Sequence, residues 1–309
     1  MPSEFELIRK YFTRAPRHAV RGVGDDAALL RPAPGFDLAI STDMLLEGRH
    51  FAPGADPRSL GHKSLAVNLS DMAATGATPR WATLAIAFPA ADERWLAAFT
   101  DGFFALADRS GVDLVGGDTT RGPLSICVGI LGEVPQGLAL SRSGARPGDD
   151  IWVSGELGGA ALGLARPEIA AAATRLHEPE PRVALGERLR GVATSAIDVS
   201  DGFAQDLGHI LEMSGIGARV NFAQLPRHPS FLKIQDHALE QRCILSGGDD
   251  YELVFTAPPV KRSEVEALSK DLGLALSRVG TIQPGKPELV LMDDRGKSIT
   301  AERGFDHFA

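Results

Sequence analysis

Apolar positions along this chain recur with two periods, short strand-like runs and longer helical stripes, and the two kinds alternate from end to end. The opening segment MPSEFELIRKYF is amphipathic, and Ser3 with Glu6 has the spacing of a capping box, so a helix is expected at the start. AALL (27–30) and DLAIST (Asp37–Thr42) read as strands. Leu60, Leu65, Leu69 and Met72 form a helical stripe through Pro57–Ala74, and TLAIAF (Thr83–Phe88) reads as a buried strand. Asp92 and Glu93 then put negative charge in the first turn of a helix bearing Trp95, Phe99, Phe103 and Leu106, which Gly111 stops. VDLV (Val112–Val115) and LSICVGILGEV (Leu124–Val134) are expected as strands separated by a glycine-rich loop.

The stretch from Pro135 to Gly148, with Gly137, Gly144 and Pro147 inside it, lacks periodicity and marks a domain boundary. Beyond it the alternation resumes. DIWVSG reads as strand, an alanine-rich helix follows, TSAID (Thr194–Asp198) as strand, then a helix from Gly202 to Ser214. YELVFTA is expected as strand, a helix lies near Ser263–Leu272, and a hairpin turning at Asp294–Arg295–Gly296 closes the pattern. The expectation is an α/β (α+β) chain of two domains, 1–136 and 148–309.

Length and composition narrow the class. A chain of 309 residues with 44% hydrophobic and 23% charged residues has material for two packed domains and none of the bias of disorder. Acidic residues outnumber basic ones, 40 to 32, giving a formal charge of −8, which argues against nucleic acid or an anionic membrane as partner. No run approaches the ~18 apolar residues of a membrane span, and the charged N-terminal segment is neither signal peptide nor anchor. The two cysteines, Cys127 and Cys243, lie in apolar surroundings and read as buried, reduced thiols of a cytoplasmic protein.

Familiar nucleotide motifs fail when tested. Gly296–Lys297–Ser298 resembles the end of a P-loop, but Leu291 stands where the loop needs glycine. Gly22-Val23-Gly24 is followed by Asp25 and Asp26, wrong for a pyrophosphate cradle. Gly155–Gly163 opens a helix and suits either an anion or close helix packing. The eight histidines show no zinc spacing.

Aspartate placement is more informative. GVGDDAA, STDML, NLSDMAATGATP, GGDTTRG, DVSDG and SGGDDYEL each set aspartate beside glycine or serine at an expected strand end or helix start. Each alone suits a cap or a turn. Asp71, however, lies inside an apolar helix where capping gains nothing, and Asp198 ends an apolar strand with Asp201 three residues on. Gathered carboxylates repel unless cations neutralise them. Oxygen ligands without histidine or thiolate point to Mg²⁺, which accepts phosphate oxygens, so phosphoryl transfer is the implied reaction class.

Together, VGDDAA, LAISTDML, LAVNLSDMAATGATPRW, LVGGDTTRGPLS, LSRSGARPGD, SAIDVSDG, LSGGDDYEL and GFDHF, in this order from residue 22 to 308, resemble the thiamine-monophosphate kinase family of the aminoimidazole-ribonucleotide-synthetase-like superfamily. The resemblance implies transfer of the γ-phosphoryl of ATP to thiamine monophosphate. It implies an N-terminal α/β domain that binds ATP and Mg²⁺ and forms a β-barrel at a homodimer interface, and a C-terminal α/β domain covering the active site. Carried over by motif, Asp26, Thr42, Asp43, Asp71, Asp118, Asp198 and Asp201 would bind several Mg²⁺ ions. Ser41, Gly117, Asp118, Arg142 and Ser200 would contact ATP, and His50, Asp249 and Phe305 the thiamine substrate. Asp249 stands where the family usually has glutamate, and Phe305 where a polar aromatic is frequent. Arg142, and more weakly Arg121 and Lys63, are candidate cations for the transferred charge.

Two other readings compete. One is a different synthetase of the superfamily, but no cysteine precedes Cys127 to serve selenium chemistry, and the ending FDHFA lacks the cysteine tail of a hydrogenase-maturation protein. The other is a nucleotide sensor without catalysis, disfavoured because every metal-type aspartate is present.

Overall fold

The computed structural model describes residues 3–293, 295–302 and 304. Two compact units divide the chain: residues through Met72 with Ala77–Gly137, and Ala73–Gly76 with Leu138 onward.

In the first unit the capping box forms as expected, Ser3 and Glu6 each satisfying the other's backbone at the start of α1 (Glu4–Leu7). The following elements are β1 (Phe36–Leu46), α2 (Pro57–Thr75), β2 (Thr78–Phe88), α3 (Glu93–Ser110), β3 (Asp113–Arg121) and β4 (Ser125–Pro135). The strands form one mixed sheet in the order β1-β4-β2-β3, in which only β2 and β3 run parallel. Asp92 caps α3 from just outside the helix, its carboxylate accepting the N–H groups of Arg94 and Trp95, and Gly111 ends it in the left-handed conformation. Helices α2 and α3 meet backbone to backbone. A Cβ on Gly61 would stand 1.9 Å from the Phe99 carbonyl oxygen, and one on Gly102 1.8 Å from that of Arg58.

Alternation along β4 buries Ile126, Val128 and Ile130 on one sheet face. The other face is open. Leu38, Ile40, Met44 and Leu46 of β1 are exposed there, Ile40 to 66% and Met44 to 55%. Cys127 pairs with Met44 on this face and is only partly buried, so the expectation of two buried thiols holds for Cys243 alone.

Two further expectations change. AALL makes an isolated bridge, Leu29 to Arg21, and no strand. GGDTTR is no loop: it continues VDLV as the second half of β3, so only a short turn leads into β4. Glycine hid this strand. A Cβ at Gly117, whose φ is 149°, would lie 1.8 Å from the Leu84 carbonyl oxygen, so β3 approaches β2 only because the side chain is missing.

The second unit contains β5 (Asp150–Ser154), α4 (Gly159–Ala165), α5 (Ala170–His177), α6 (Val183–Leu189), β6 (Ser195–Asp198), α7 (Phe203–Ser214) and β7 (Gly217–Asn221). Then follow α8 (His237–Ser246), β8 (Leu253–Ala257), α9 (Arg262–Leu272), β9 (Leu276–Gln283), β10 (Leu289–Met292) and β11 (Ser298–Ile299). The alanine-rich segment is thus two short helices, β7, α8 and β9 had no clear signal, and β10 with β11 pairs antiparallel as the expected closing hairpin. The sheet order is β11-β10-β7-β9-β5-β8-β6, antiparallel except for β10 beside β7. Apolar clusters cover both faces, one around Ile151, Val153, Ile197, Phe203 and Val254, the other around Trp152, Ala196, Leu253 and Phe255. Burial on both sides explains why β5 and β8 read as unbroken apolar runs. Asp294 of the expected closing turn lies outside the described residues.

Candidate functional site

In the first unit, β1 and α2 bring two of the expected residues together. Asp71, one turn from the end of α2, accepts a 2.5 Å hydrogen bond from Ser41 Oγ on β1. This side-chain bond accounts for a helix-interior aspartate that has no cap to make. Thr42 and Asp43 follow Ser41 along the strand, and Thr42 pairs in register with Gly129, which itself pairs with Thr83. A Cβ at Gly129 would press to 2.8 Å on Thr83 Oγ1 and 3.5 Å on Thr42 Oγ1, so the glycine keeps both hydroxyls in one row.

Asp118 is exposed on β3, paired with Ala85, and Asp26 is exposed in the loop after Arg21, its N–H bonded to the Asp25 carboxylate. His50 Nδ1 accepts the Leu46 N–H at 2.9 Å, tying down the turn after β1. Arg121 spends its Nε on the Pro89 carbonyl at 3.2 Å, and Lys63 is buried on α2 at 4% exposure.

The second unit gathers the DVSDG and SGGDDYEL segments. β6 ends at Asp198, and the chain turns through Val199–Gly202 into α7. Asp206, in the first turns of α7, captures this loop. Its Oδ2 accepts the consecutive N–H groups of Ser200, Asp201 and Gly202 at 3.0, 3.1 and 3.0 Å. Burial, with the charges of Asp198 and Asp201, pushes the Asp206 carboxyl up to about 8 against the pull of those donors. Asp206 was not among the expected site residues. Its signal is an acid on the stripe formed by Phe203, Leu207, Ile210 and Leu211, where the helix is otherwise apolar.

The loop after α8 lies along the same turn. The N–H of Asp249 donates to the Ser200 carbonyl and that of Tyr251 to the Val199 carbonyl, both at 2.9 Å, while the Val199 N–H donates to the Glu252 carbonyl at 2.8 Å. Asp250 is fully engaged elsewhere. Its buried carboxylate accepts the Gly158 and Ala160 N–H groups at 2.6 and 3.3 Å, capping α4 from within, and burial pushes it up to about 7. Gly155–Gly163 is therefore filled by a protein carboxylate, and Gly163, whose Cβ would lie 2.4 Å from the Ala172 carbonyl oxygen, serves close helix packing. Glu252 is clamped by Arg175, by both arms of Arg182 and by Ser154 Oγ. Arg142 lies in an exposed turn, its backbone carbonyl accepting Ser214 Oγ at 3.4 Å, and Phe305 lies outside the described residues.

What the structure brings together is thus Ser41 with Asp71 in one unit, and Asp198, Asp201, Ser200, Asp206 and Asp249 in the other. Among the described residues no group of three or more His, Cys, Asp or Glu side chains is poised to hold a metal ion. The donor chemistry nonetheless fits a hard divalent cation, because the β6–α7 turn offers oxygen alone and its like charges penalise one another.

Comparison with known proteins places this geometry. The model of the AIR synthase related protein N-terminal domain matches residues 24–134, and that of the corresponding C-terminal domain residues 146–292. A thiamine-monophosphate kinase of Salmonella typhimurium is 45% identical over 321 residues, covering 99% of this chain and 98% of that protein. The crystal structure of a thiamine-monophosphate kinase from Stenotrophomonas maltophilia superposes with a TM-score of 0.85 at 44% identity, over 92% of this chain and 93% of the other. AaThiL, solved complexed with AMPPCP and TMP, gives 0.78 at 27% identity over 90% and 89%. The chain belongs to the thiamine-monophosphate kinase family of AIR synthase-related proteins.

Proposed function

We propose that this protein transfers the γ-phosphoryl group of ATP to thiamine monophosphate, producing thiamine diphosphate and ADP in thiamine diphosphate biosynthesis. The observation that carries it is 45% identity across 99% of the chain to a thiamine-monophosphate kinase, 98% of whose own length is matched. The chemistry suits the residues. The acceptor is a phosphate monoester with a second pKa near ~6, already ionised at neutral pH, so no general base is required. The task left to the protein is to hold two polyanions in line and neutralise them.

We assign Asp26, Thr42, Asp43, Asp71 and Asp118 of the first unit, and Asp198 and Asp201 of the second, to Mg²⁺. When bound, Mg²⁺ neutralises the phosphate oxygens and orients them for displacement. Ser41, Gly117, Asp118, Arg142 and Ser200 contact ATP, with Arg142 the candidate cation for the migrating phosphoryl group. His50, Asp249 and Phe305 contact thiamine monophosphate. Ser41 Oγ, donating to Asp71, fixes one carboxylate rotamer, and Asp206, by holding three N–H groups, fixes the loop that presents Ser200 and Asp201.

In this reading residues 1–136 bind ATP and Mg²⁺ and dimerise, and 148–309 form the covering domain. The exposed row Leu38, Ile40, Met44 and Leu46 packs on a second copy of the chain, the two sheets closing a barrel. The protein works in the cytoplasm, and among the described residues no helix is long and apolar enough to cross a membrane.

The test is direct. Purified protein with ATP, Mg²⁺ and thiamine monophosphate is expected to yield thiamine diphosphate and ADP in equal amounts, and Asp71→Asn to abolish it. Absence of turnover by the wild-type protein, or ADP release without thiamine diphosphate, overturns the proposal.

A further inference from the structure

Asp249 and Tyr251 both hold left-handed backbone torsions, φ 67° and 51°, the only described residues other than glycine to do so. For a bulky aromatic such a torsion is a genuine outlier, retained only when its surroundings over-determine it. Three backbone hydrogen bonds to the Val199–Ser200 segment impose it here. Glycine would meet the backbone requirement at 251 without strain. What tyrosine adds is its phenol: Tyr251 is 8% exposed, and its Oη donates to Asp249 Oδ1 at 3.0 Å. Ring and carboxylate are locked to each other across a single intervening residue, and Asp250 between them is turned inward to cap α4.

We propose that Tyr251 is a positioning residue for the thiamine substrate. Its phenol fixes the rotamer of Asp249, so that the carboxylate meets the cationic part of thiamine monophosphate pre-oriented. The inference rests on the proposed kinase reading and on Asp249 as a substrate contact. It also gives the shorter acid a rationale: with one methylene fewer than glutamate, its carboxylate has less reach and fewer rotamers, and the strained backbone with the phenol decides where it points.

The test is Tyr251→Phe, which keeps the buried ring and removes only the hydroxyl. KM for thiamine monophosphate is expected to rise about tenfold, the order of one hydrogen bond to a charged group, while kcat and KM for ATP stay within about twofold. Asp249→Asn is expected to raise the same KM, and adding Tyr251→Phe to it to cost nothing more, since the phenol acts through the carboxylate. An unchanged KM for thiamine monophosphate in Tyr251→Phe overturns the inference, as does an equal rise in KM for ATP or full additivity in the double variant. Calorimetric binding of thiamine monophosphate to wild type and Tyr251→Phe separates the two readings. Binding weakened by the variant without turnover in either refutes the kinase and keeps the positioning role; no binding to the wild type refutes both.

Discussion

The N–H of Asp249 donates to the carbonyl of Ser200 at 2.9 Å, so a proposed thiamine contact and a proposed ATP contact are one backbone hydrogen bond apart. Gly248 permits this approach, since a Cβ there would stand 2.2 Å from the Ser200 carbonyl oxygen. Gly248→Ala is therefore expected to force the two loops apart and to raise KM for ATP and for thiamine monophosphate together. Steady-state kinetics with each substrate varied in turn checks it; a change in only one KM contradicts the shared-loop reading.

Asp206→Ala strips a buried acceptor from three N–H groups at once. Relief of repulsion from Asp198 and Asp201 offsets part of the loss, and the net expectation is a destabilisation of about 2–4 kcal/mol. Urea unfolding of variant and wild type, with unchanged slope, measures it.

Glu252 has no exposed side-chain surface and is bonded by Arg175, Arg182 and Ser154. Glu252→Gln leaves two partly buried guanidinium groups short of an anion and is expected to cost about 2–3 kcal/mol, below the full penalty of a buried pair because water reaches both arginines. An additional Arg182→Met change on that background is expected to recover part of the loss, which thermal unfolding of the pair of variants will show.

Burial pushes the Asp150 carboxyl up, but hydrogen bonds from Arg262 and Arg278 overcome it and hold the group below the ordinary 3.8. At Asp113 burial is likewise overcome, by the His18 N–H and by Arg17. A depressed folded value means stability that is complete above the unfolded pKa near ~4 and is lost as pH falls through the lower folded value. Asp150→Asn is expected to lower stability near pH 6 by about 1–2 kcal/mol, discounted because Arg262 is partly exposed, and to flatten the acid limb below pH ~4. Denaturation midpoints between these pH values test both signs.

Ile40→Asp places a charge in the exposed apolar row of β1. If that row meets a second copy, sedimentation is expected to shift from dimer to monomer, with the far-ultraviolet spectrum unchanged. A wild-type monomer at micromolar concentration would refute the proposed interface.

Much of the architecture is legible in the residues, for local reasons. The capping box at Ser3, the stop at Gly111 and the stripe through α2 each depend on neighbours within a turn or two, and each element formed as expected. Where the reading failed, the deciding partner was distant. GGDTTR looks like a loop because glycine is a poor strand former alone, yet it is strand because β2 accepts its backbone. β7 and β9 drew no signal because their burial comes from the helices and strands around them.

The sequence by itself determined the family and the two-domain α/β class and singled out the aspartates proposed to bear the chemistry, since ordered motifs and short-range spacing need no coordinates. Part of its acidic excess lies in the acids gathered at the β6–α7 turn, which in the proposed reading meet a divalent cation and phosphate. Only the tertiary structure decided what each acid does. Asp206, Asp250 and Glu252 are captured by N–H groups or arginines, while Ser41 with Asp71 and Asp249 with Tyr251 pair side chains. The reason is physical: a carboxylate's role is set by which donors and charges surround it when water is removed, and those neighbours come from segments far apart in the chain.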